Sequence, residues 1–385
     1  MNWRGAGIAV VAVLASLSFL WGPSCTAQQG DPIARTEQLV RRLAPAHADP
    51  CDGPGDPISD YYGLEFKVRD AAQAAIAMRL NDPSLASETP QARAQIAVRE
   101  LEAVSTKING SWPSEKRLDF QILDLPPALI LEWSIRSRSG YIAFGIPTQD
   151  NPKKEWREIG EDDQSLGDAP TWSDFTLYPL HRGPSDHARF LAVSHSGGCA
   201  GSYGIQYNAE ELDPSGYGGF QQIIKQAGAC GLEDGCSGGK LTSKDPFSPI
   251  GKLQTHGPLI ALPYCEFTAI DSWDNPSLCA LDSYDLSGDE VRFVSRAYNR
   301  PDLAPVAKAI EFAQQHNLAA VRGYCASPDV ARKLVRTIPP FVSAGSELEV
   351  TWVGPDRERV ELGDGGYRFE LKKAGDRWLI VSFRE

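Results

Sequence analysis

The spacing of apolar residues changes from a helical period to a strand-like period and back, and this change limits the fold class. Ala97, Leu101 and Val104 recur every three to four residues, which predicts a helix. Within residues 118–294, short apolar or alternating runs are separated by turn residues, as in strands. A helical period returns in residues 306–338. We therefore predict an α+β fold with mainly antiparallel strands.

This fold would contain an N-terminal helical pair, a central β-sandwich or partial propeller, and a C-terminal helical pair on a small antiparallel sheet. The predicted division is a signal peptide at 1–27, a linker or arm at 28–60, a helical pair plus mainly-β domain at 61–299, and a C-terminal α+β domain at 300–385. Pro301 marks the last boundary because proline neither continues a helix nor donates to a strand ladder.

Two finer expectations follow from the same patterns. The acidic, polar stretch 156–168 is predicted to be a solvated loop. The C-terminal helices are predicted to cover one face of the last sheet. That face is expected to consist of Trp352, Tyr367, Phe369, Trp378 and Ile380.

The N-terminal residues have the layout of a secretory signal. Arg4 supplies a positive start, residues 8–21 form an uncharged apolar run, and Gly22 ends it. The run is too short to span a bilayer comfortably. We therefore expect cleavage near Ala27 and export to the periplasm or the extracellular space, where disulfides persist.

Charge and hydropathy restrict the classes of partner. The net charge is −12, and no run of Lys and Arg exceeds three residues. Nucleic acids and anionic membrane surfaces require a basic patch, so neither is predicted as a partner. After the leader, no second apolar run reaches about 18 residues, so no membrane span is expected in the mature chain. A small molecule, a glycan or an envelope protein stays open as the partner.

The cysteines predict at least one disulfide. Cys265 and Cys279 are the best pair because each ends a strand-like run, with a turn-rich segment at 271–276 between them. Closing a loop of this size stabilises a fold by roughly 3 kcal/mol in the chain-entropy model. Three further cysteines in glycine-rich loops compete for one another. These are Cys199, Cys230 and Cys236.

A glycine-rich pentapeptide, residues 235–239, has the spacing of a nucleophile elbow centred on Ser237. That motif requires a strand before the serine and a helix after it, and the sequence indicates neither. The pentapeptide also resembles the Gly-Cys-x-Gly-Gly stretch of papain-like cysteine proteases, which is structural in that family. The catalytic Cys-Gly-x-Cys-Trp motif of the family does not occur in this chain. Ser237 is thus a weak candidate nucleophile, and a stapled loop is favoured.

Three histidines, His181, His187 and His195, fall within fifteen residues and are candidate metal ligands. A zinc site needs three or four converging ligands, and neither HExxH nor helical spacing is present. His195 is also a candidate general base beside the glycine-rich loop 194–204, which holds Ser202 as a candidate nucleophile. We expect these histidines to form local hydrogen bonds and predict no metal.

A second candidate binding region is rich in aspartate around a tryptophan. Its residues are Asp271, Trp273, Asp274 and Asp285. Oxygen ligands on loops suit calcium, and a carboxylate pair beside an aromatic ring suits a sugar. Aspartate is also a common turn residue, which is the favoured interpretation. No cofactor is therefore predicted, with calcium as the open option.

The leading hypothesis is an exported, soluble binding or interaction protein of the cell envelope or periplasm. The alternative is a secreted hydrolase of glycan or ester, acting near 194–204 or 271–289. Convergence of His195 with Ser202 or a carboxylate in one cleft would favour the hydrolase.

Overall fold

The structure is a computed structural model that describes most of the chain. The described residues are 31–43, 58–109, 118–135, 138–147, 151–163, 172–185, 187–197, 203–212, 219–230, 253–266, 268, 270, 278–339, 348–363 and 366–385. Within them, six α-helices accompany strands that form three antiparallel sheets. The predicted α+β class with mainly antiparallel strands is confirmed.

The N-terminal part consists of three helices and a four-stranded sheet. The helices are α1 (Pro32–Leu43), α2 (Ile58–Leu80) and α3 (Pro90–Asn109), and the strands, in sheet order, are β1 (Leu118–Leu125), β2 (Ala128–Ile135), β3 (Arg138–Gly145) and β4 (Arg157–Asp163). Thr89 caps α3 by accepting the Ala92 N–H at 3.2 Å. Leu43 of α1 and Leu101 of α3 are fully buried in one core with Trp133 of β2. The predicted arm at 28–60 thus includes a helix of this core.

Strand β4 lies where the sequence predicts a loop, and that prediction is wrong for its seven residues. Ile159 is buried against side chains of the seven-stranded central sheet, which is described next. The residues around Ile159 in the sequence are mostly charged. A single inward apolar side chain is enough for a strand at the edge of a sheet, so hydrophobic alternation is too weak here to indicate one. Asn81 holds the strand in place because its side chain accepts the Trp156 N–H at 2.8 Å, just before β4.

The central sheet has seven strands in chain order. They are β5 (Trp172–Pro179), β6 (Ala188–Gly197), β7 (Tyr203–Leu212), β8 (Phe220–Cys230), β9 (Leu259–Glu266), β10 (Leu278–Asp285) and β11 (Arg292–Tyr298). One face packs on the four-stranded sheet, where Phe190 and Leu212 meet Ile130 and Ala143. The opposite face has its own buried cluster, which includes Leu191, Tyr207 and Leu262. Strands β6 and β7 in this sheet are therefore buried on both faces.

A buried arginine joins distant strands of this sheet. Three strands separate β6 from β10, yet Arg189 of β6 reaches the connection after β10. Its Nη1 donates to the carbonyls of Leu286 (3.1 Å) and Gly288 (2.9 Å), and its Nη2 donates to that of Asp289 (2.6 Å). Its Nε donates to Glu211 of β7 at 2.6 Å. The sheet therefore curls until its two halves meet at this side chain, which we call the Arg189 latch.

The C-terminal part consists of three helices on a four-stranded sheet. Its elements are α4 (Ala304–Gln314), α5 (Leu318–Arg322), α6 (Pro328–Thr337), β12 (Leu348–Gly354), β13 (Arg357–Leu362), β14 (Tyr367–Ala374) and β15 (Arg377–Arg384). Ser327 and Asn317 cap α6 and α5 through their side chains. Among the described residues, no helix combines the length and the hydropathy needed to cross a membrane.

The predicted inner face of this last sheet is correct except at one residue. Tyr367, Phe369, Trp378 and Ile380 are buried in the core beneath the helices. Trp352 is instead 66% exposed. It continues the alternation of its strand, but β12 is the edge strand and carries an irregularity between Trp352 and Gly354. An edge strand can turn away from the core at such a point.

We predict that residues 300–385 fold without the rest of the chain. All but two of the buried residues in their core, Ile270 and Leu278, lie within that segment. The fragment is expected to be soluble and to melt cooperatively, as measured by circular dichroism. If the fragment is unfolded while one that starts near Gly257 folds, the terminal helices belong to the β domain and the predicted boundary is wrong.

We predict that Arg189→Met lowers the free energy of unfolding by about 3–5 kcal/mol, because Glu211 and three carbonyls lose their buried charged donor. Denaturation in guanidinium chloride measures the change. Arg292→Met is the matched control, since Arg292 is exposed and its ion pair with Asp285 is worth at most about 1 kcal/mol. A loss below about 1 kcal/mol for Arg189→Met would show that the latch does not support the fold.

Candidate functional site

The structure places the candidate histidines in different surroundings. His181 is exposed after β5, while His187 Nδ1 lies 2.9 Å from Glu211 Oε1, beside the Arg189 latch. The backbone of His195 lies in β6, paired with Asp174 and Ile205. Across the part of the chain that the structure describes, no three His, Cys, Asp or Glu side chains are arranged to hold a metal ion.

Most of the other sequence candidates lie outside the described residues, so those predictions stay open. They are Ser202, Ser237, Asp271, Trp273, Asp274, Cys199 and Cys236. For Cys230 only the backbone position is described, at the end of β8 opposite Tyr203.

Asp285 acts as a turn residue. Its carboxylate accepts the backbone N–H of Ser287 at 2.9 Å and a bond from Arg292 at 2.8 Å. The Ser287 bonds and then Arg292 lower the pKa of Asp285. This is the local hydrogen bonding that makes aspartate common in turns.

A disulfide joins Cys265 to Cys279, the pair that the sequence favours. The two residues are direct cross-strand partners on β9 and β10, and their Cα atoms lie 3.9 Å apart. Cys325 is a free thiol buried in the C-terminal core, and this burial raises its pKa to about 11. Because the thiolate is the reactive form, this shift of the pKa disfavours reaction of Cys325 at neutral pH.

An ion-pair network lies next to the disulfide. Arg296 of β11 donates to both oxygens of Asp282, at 2.7 and 2.8 Å, and to Glu266 at 3.0 Å. The Tyr264 hydroxyl is 3.2 Å from both Asp282 Oδ2 and Glu266 Oε1. Lys308 of α4 completes the network at 2.9 Å from Glu266. The network therefore connects strands β9 to β11 with the first helix of the C-terminal part.

On the same strand as Arg296, β11 presents apolar side chains to solvent. Phe293 is 52% exposed and Val294 is 50% exposed, although they are consecutive strand residues. The Phe293 ring meets the Tyr284 ring edge-on, with centroids 5.5 Å apart. We call Tyr284, Arg292, Phe293 and Val294 the β11 surface. It lies on an edge strand, and the pairing with β10 is irregular where Val294 has no partner.

Besides the Arg296 network, a second cluster of polar side chains lies between the four-stranded N-terminal sheet and the central sheet. The Tyr141 hydroxyl donates to Asp162 Oδ2 at 3.0 Å and also shares a hydrogen bond with Glu210 of β7. Burial, and then the charge of Asp162, raise the pKa of Glu210 to about 7. A buried carboxyl group whose pKa is raised by a neighbouring carboxylate is a candidate functional group, although structural networks also shift pKa values.

A third cluster lies at the predicted hinge. Arg300 binds Asp302 through two nitrogens, with Nη2 2.5 Å from Oδ2 and Nε 3.1 Å from Oδ1. Glu358 of β13 is buried beside them and shares a hydrogen bond with Asp302. Burial, and then Asp302, raise the pKa of Glu358 to about 7, while Arg300 outweighs burial and lowers the pKa of Asp302. Below the raised pKa of Glu358 and above the lowered pKa of Asp302, the pair holds one proton.

Sequence reasoning missed all three clusters. The sequence contains a signal for one of them, the Arg296 network. Asp282 alternates with Ala280 and Tyr284, so the pattern predicts that its side chain faces inward. A charged residue at an inward strand position needs a buried partner. The partner, however, comes from another strand that the local pattern does not identify.

Comparison with protein-family models, curated proteins and solved structures finds no match for this chain. The functional proposals therefore rest on the residues themselves.

We predict that Glu358→Gln reduces the pH dependence of stability. The pKa of Glu358 is higher in the folded chain (about 7) than its ordinary value of 4.5, so the folded state holds more protons between these values. The free energy of unfolding should then fall as the pH rises from about 4.5 to 7. We expect the fall between pH 5 and 8, measured by denaturant titration, to shrink by about 1–3 kcal/mol in the variant.

The control for this measurement is Glu349→Gln, at an exposed position on the neighbouring strand β12. It should keep the wild-type dependence on pH. An unchanged dependence in Glu358→Gln would show that Glu358 and Asp302 do not share a proton.

Proposed function

We propose that the protein is an exported, soluble binding protein of the cell envelope that holds an apolar segment of a partner protein on the β11 surface. The leader pattern of residues 1–27 supports export. The disulfide between Cys265 and Cys279 fits the same proposal, since structural disulfides persist in oxidising compartments.

The observation that carries the binding proposal is the exposure of Phe293 and Val294 on a rigid support. Exposed neighbouring apolar side chains mark interaction sites, and aromatic and arginine residues contribute most of the energy in interfaces. The Tyr284 ring supports Phe293 from the next strand, and Arg296 is fixed by Asp282 and Glu266. A surface held in this way loses little conformational entropy when a partner binds.

The side chains of β11, rather than its backbone, are the contacts that we propose. The pairing of β10 with β11 is irregular at Val294, and Arg292 is exposed beside it. Bulges and charges on an edge strand oppose the addition of a further strand. A partner with apolar side chains opposite Phe293 and Val294 therefore fits this surface better than a strand that extends the sheet.

The alternative of a secreted hydrolase has its predicted sites at 194–204 and 271–289. Of these, residues 198–202 and 271–277 lie outside the described residues. Asp285 is bound within its turn, as described above. The hydrolase stays a prediction from the sequence.

We predict that a photo-reactive phenylalanine analogue at position 293 forms one discrete cross-linked product in the intact host. The mature chain should be found in the envelope fraction, with its N-terminus near Gln28 by sequencing. An analogue at Lys372, which is exposed on β14, is the control and should give no such product. Phe293→Ser, combined with the analogue at position 294, should lower the yield of the product at least about tenfold, since aromatic interface residues contribute 2 kcal/mol or more.

Two results would contradict the proposal. One is a cytosolic chain that retains Met1, which would exclude export. The other is an equal yield of cross-linked product at positions 293 and 372, which would exclude the β11 surface as the binding site.

A further inference from the structure

The two hairpins of the C-terminal sheet, β12–β13 and β14–β15, turn at the same end of that sheet. Arg357, which begins β13, pairs directly with Lys372 near the end of β14. The backbone N–H of Lys373 donates to the carbonyl of Asp356 at 2.9 Å, which joins the first turn to the second hairpin. We call residues 352–357 and 372–377 the hairpin end of the sheet.

The hairpin end is locally positive in an acidic protein. Its charged residues are all exposed. The cations are Arg357, Lys372, Lys373 and Arg377, and the acids are the turn residues Asp356 and Asp376. The whole chain, in contrast, has a net charge of −12. The electrostatic field of this end therefore favours an anionic partner.

Ion pairs with neighbouring acids do not neutralise this charge. Arg357 and Lys372 lie directly opposite each other, an arrangement of like charges that destabilises a sheet. Among the described residues neither forms an ion pair, since the ion pairs of this sheet join Glu361 to Arg359 and Arg368. An anion bound beside Arg357 and Lys372 would relieve their repulsion.

Two exposed apolar side chains lie at the same end of the sheet. Trp352 is 66% exposed and Val353 is 52% exposed, at the irregularity of β12 just before its turn. Tryptophan is favoured at membrane–water interfaces because its ring is apolar while its N–H stays in polar surroundings. The hairpin end thus combines an interfacial aromatic residue with a cluster of cations.

Hydrogen bonds to the helical layer hold the hairpin end in place. Arg377 Nη2 donates to the carbonyl of Gly323, just after α5, at 2.8 Å. Further along β15, the N–H of Ile380 donates to the carbonyl of Tyr324 at 2.9 Å. Arg322 is exposed next to Gly323 and adds a cation near this end. A surface that is held in this way loses little conformational entropy on binding.

We propose that the hairpin end binds reversibly to the surface of a membrane that contains anionic lipids, with its cations on the headgroup phosphates and Trp352 among the headgroups. Lipids move laterally, so they can gather at cations on two hairpins, whereas an acidic protein must match the spacing of those cations. The sequence shows no long basic run because these cations come from three strands. The proposal does not depend on the β11 surface.

Cosedimentation with lipid vesicles tests this proposal. The vesicles contain phosphatidylcholine and phosphatidylglycerol, and the chain starts at Gln28 so that the apolar run at 8–21 cannot bind lipid itself. We expect binding in about 0.1 M NaCl. Binding should be at least about tenfold weaker in about 1 M NaCl, where the Debye length falls from about 10 Å to about 3 Å. Vesicles of phosphatidylcholine alone should not bind the chain.

Two variants assign the binding to the hairpin end. Lys372→Gln should weaken it about fivefold, because a cation near an anionic surface contributes about 1 kcal/mol. Trp352→Ala should weaken it at least about fivefold, because burial of such a side chain contributes more than about 1 kcal/mol. The matched controls, Arg384→Gln and Phe293→Ser, should stay within about twofold of the wild type. Arg384 ends β15 about 23 Å from Arg377, more than a Debye length away.

The proposal is overturned if the wild-type chain does not bind the anionic vesicles, or if either Lys372→Gln or Trp352→Ala binds them as well as the wild type. It is also overturned if Arg384→Gln loses as much affinity as Lys372→Gln, because net charge alone would then explain the binding. If soluble poly-glutamate binds the chain as tightly as the vesicles do, the partner is an acidic protein segment and not a membrane. Lipid adducts contain no second protein, so position 372 remains a valid control for the β11 surface.

Discussion

The curl of the central sheet depends on a charge that is removed from water. Arg189 is fully buried, and its guanidinium is balanced by Glu211 and by three carbonyls of the connection after β10. A buried arginine is costly unless every donor finds an acceptor, so the connection must lie where those carbonyls meet the guanidinium. This requirement fixes β10 and β11 against the opposite half of the sheet. The position of the β11 surface is thus a consequence of a residue on β6, which four strands separate from β11.

The same rule applies at the other junctions of the fold. Asp282 and Arg296 lie where the central sheet meets α4. Tyr141 and Glu210 lie where the four-stranded N-terminal sheet packs on the central sheet. Apolar packing between layers tolerates small shifts, whereas hydrogen bonds to buried charges allow little change in distance or angle. These clusters therefore fix how the layers are aligned. Where two acids face each other, as at Glu210 and at Glu358, the pKa of one of them is raised, so the stability of the cluster falls as the pH rises toward neutral.

The sequence predicts what local patterns can encode. Periodicity is sufficient for the α+β class, and the ends of two strand-like runs are sufficient to favour Cys265 with Cys279, which the structure joins. Periodicity fails at edges, because β4 needs only Ile159 inward and Trp352 follows the alternation yet lies exposed. It also fails for the buried clusters. Arg189 and the carbonyls it binds are about 100 residues apart, and no local pattern pairs them.

Strands β11 and β12, each at the edge of its sheet, share a feature that opposes aggregation. Each strand carries an aromatic residue followed by a valine, and these pairs are Phe293 with Val294 on β11 and Trp352 with Val353 on β12. All four side chains are at least half exposed. Each pair lies at an irregularity in the strand pairing. Exposed apolar residues on a straight edge would recruit another strand along the whole backbone, with little specificity. At an irregularity the backbone cannot continue such a ladder, so only the side chains remain available. A partner of the β11 surface, as we propose it, would therefore be recognised through shape and apolar contact and not through addition of a strand.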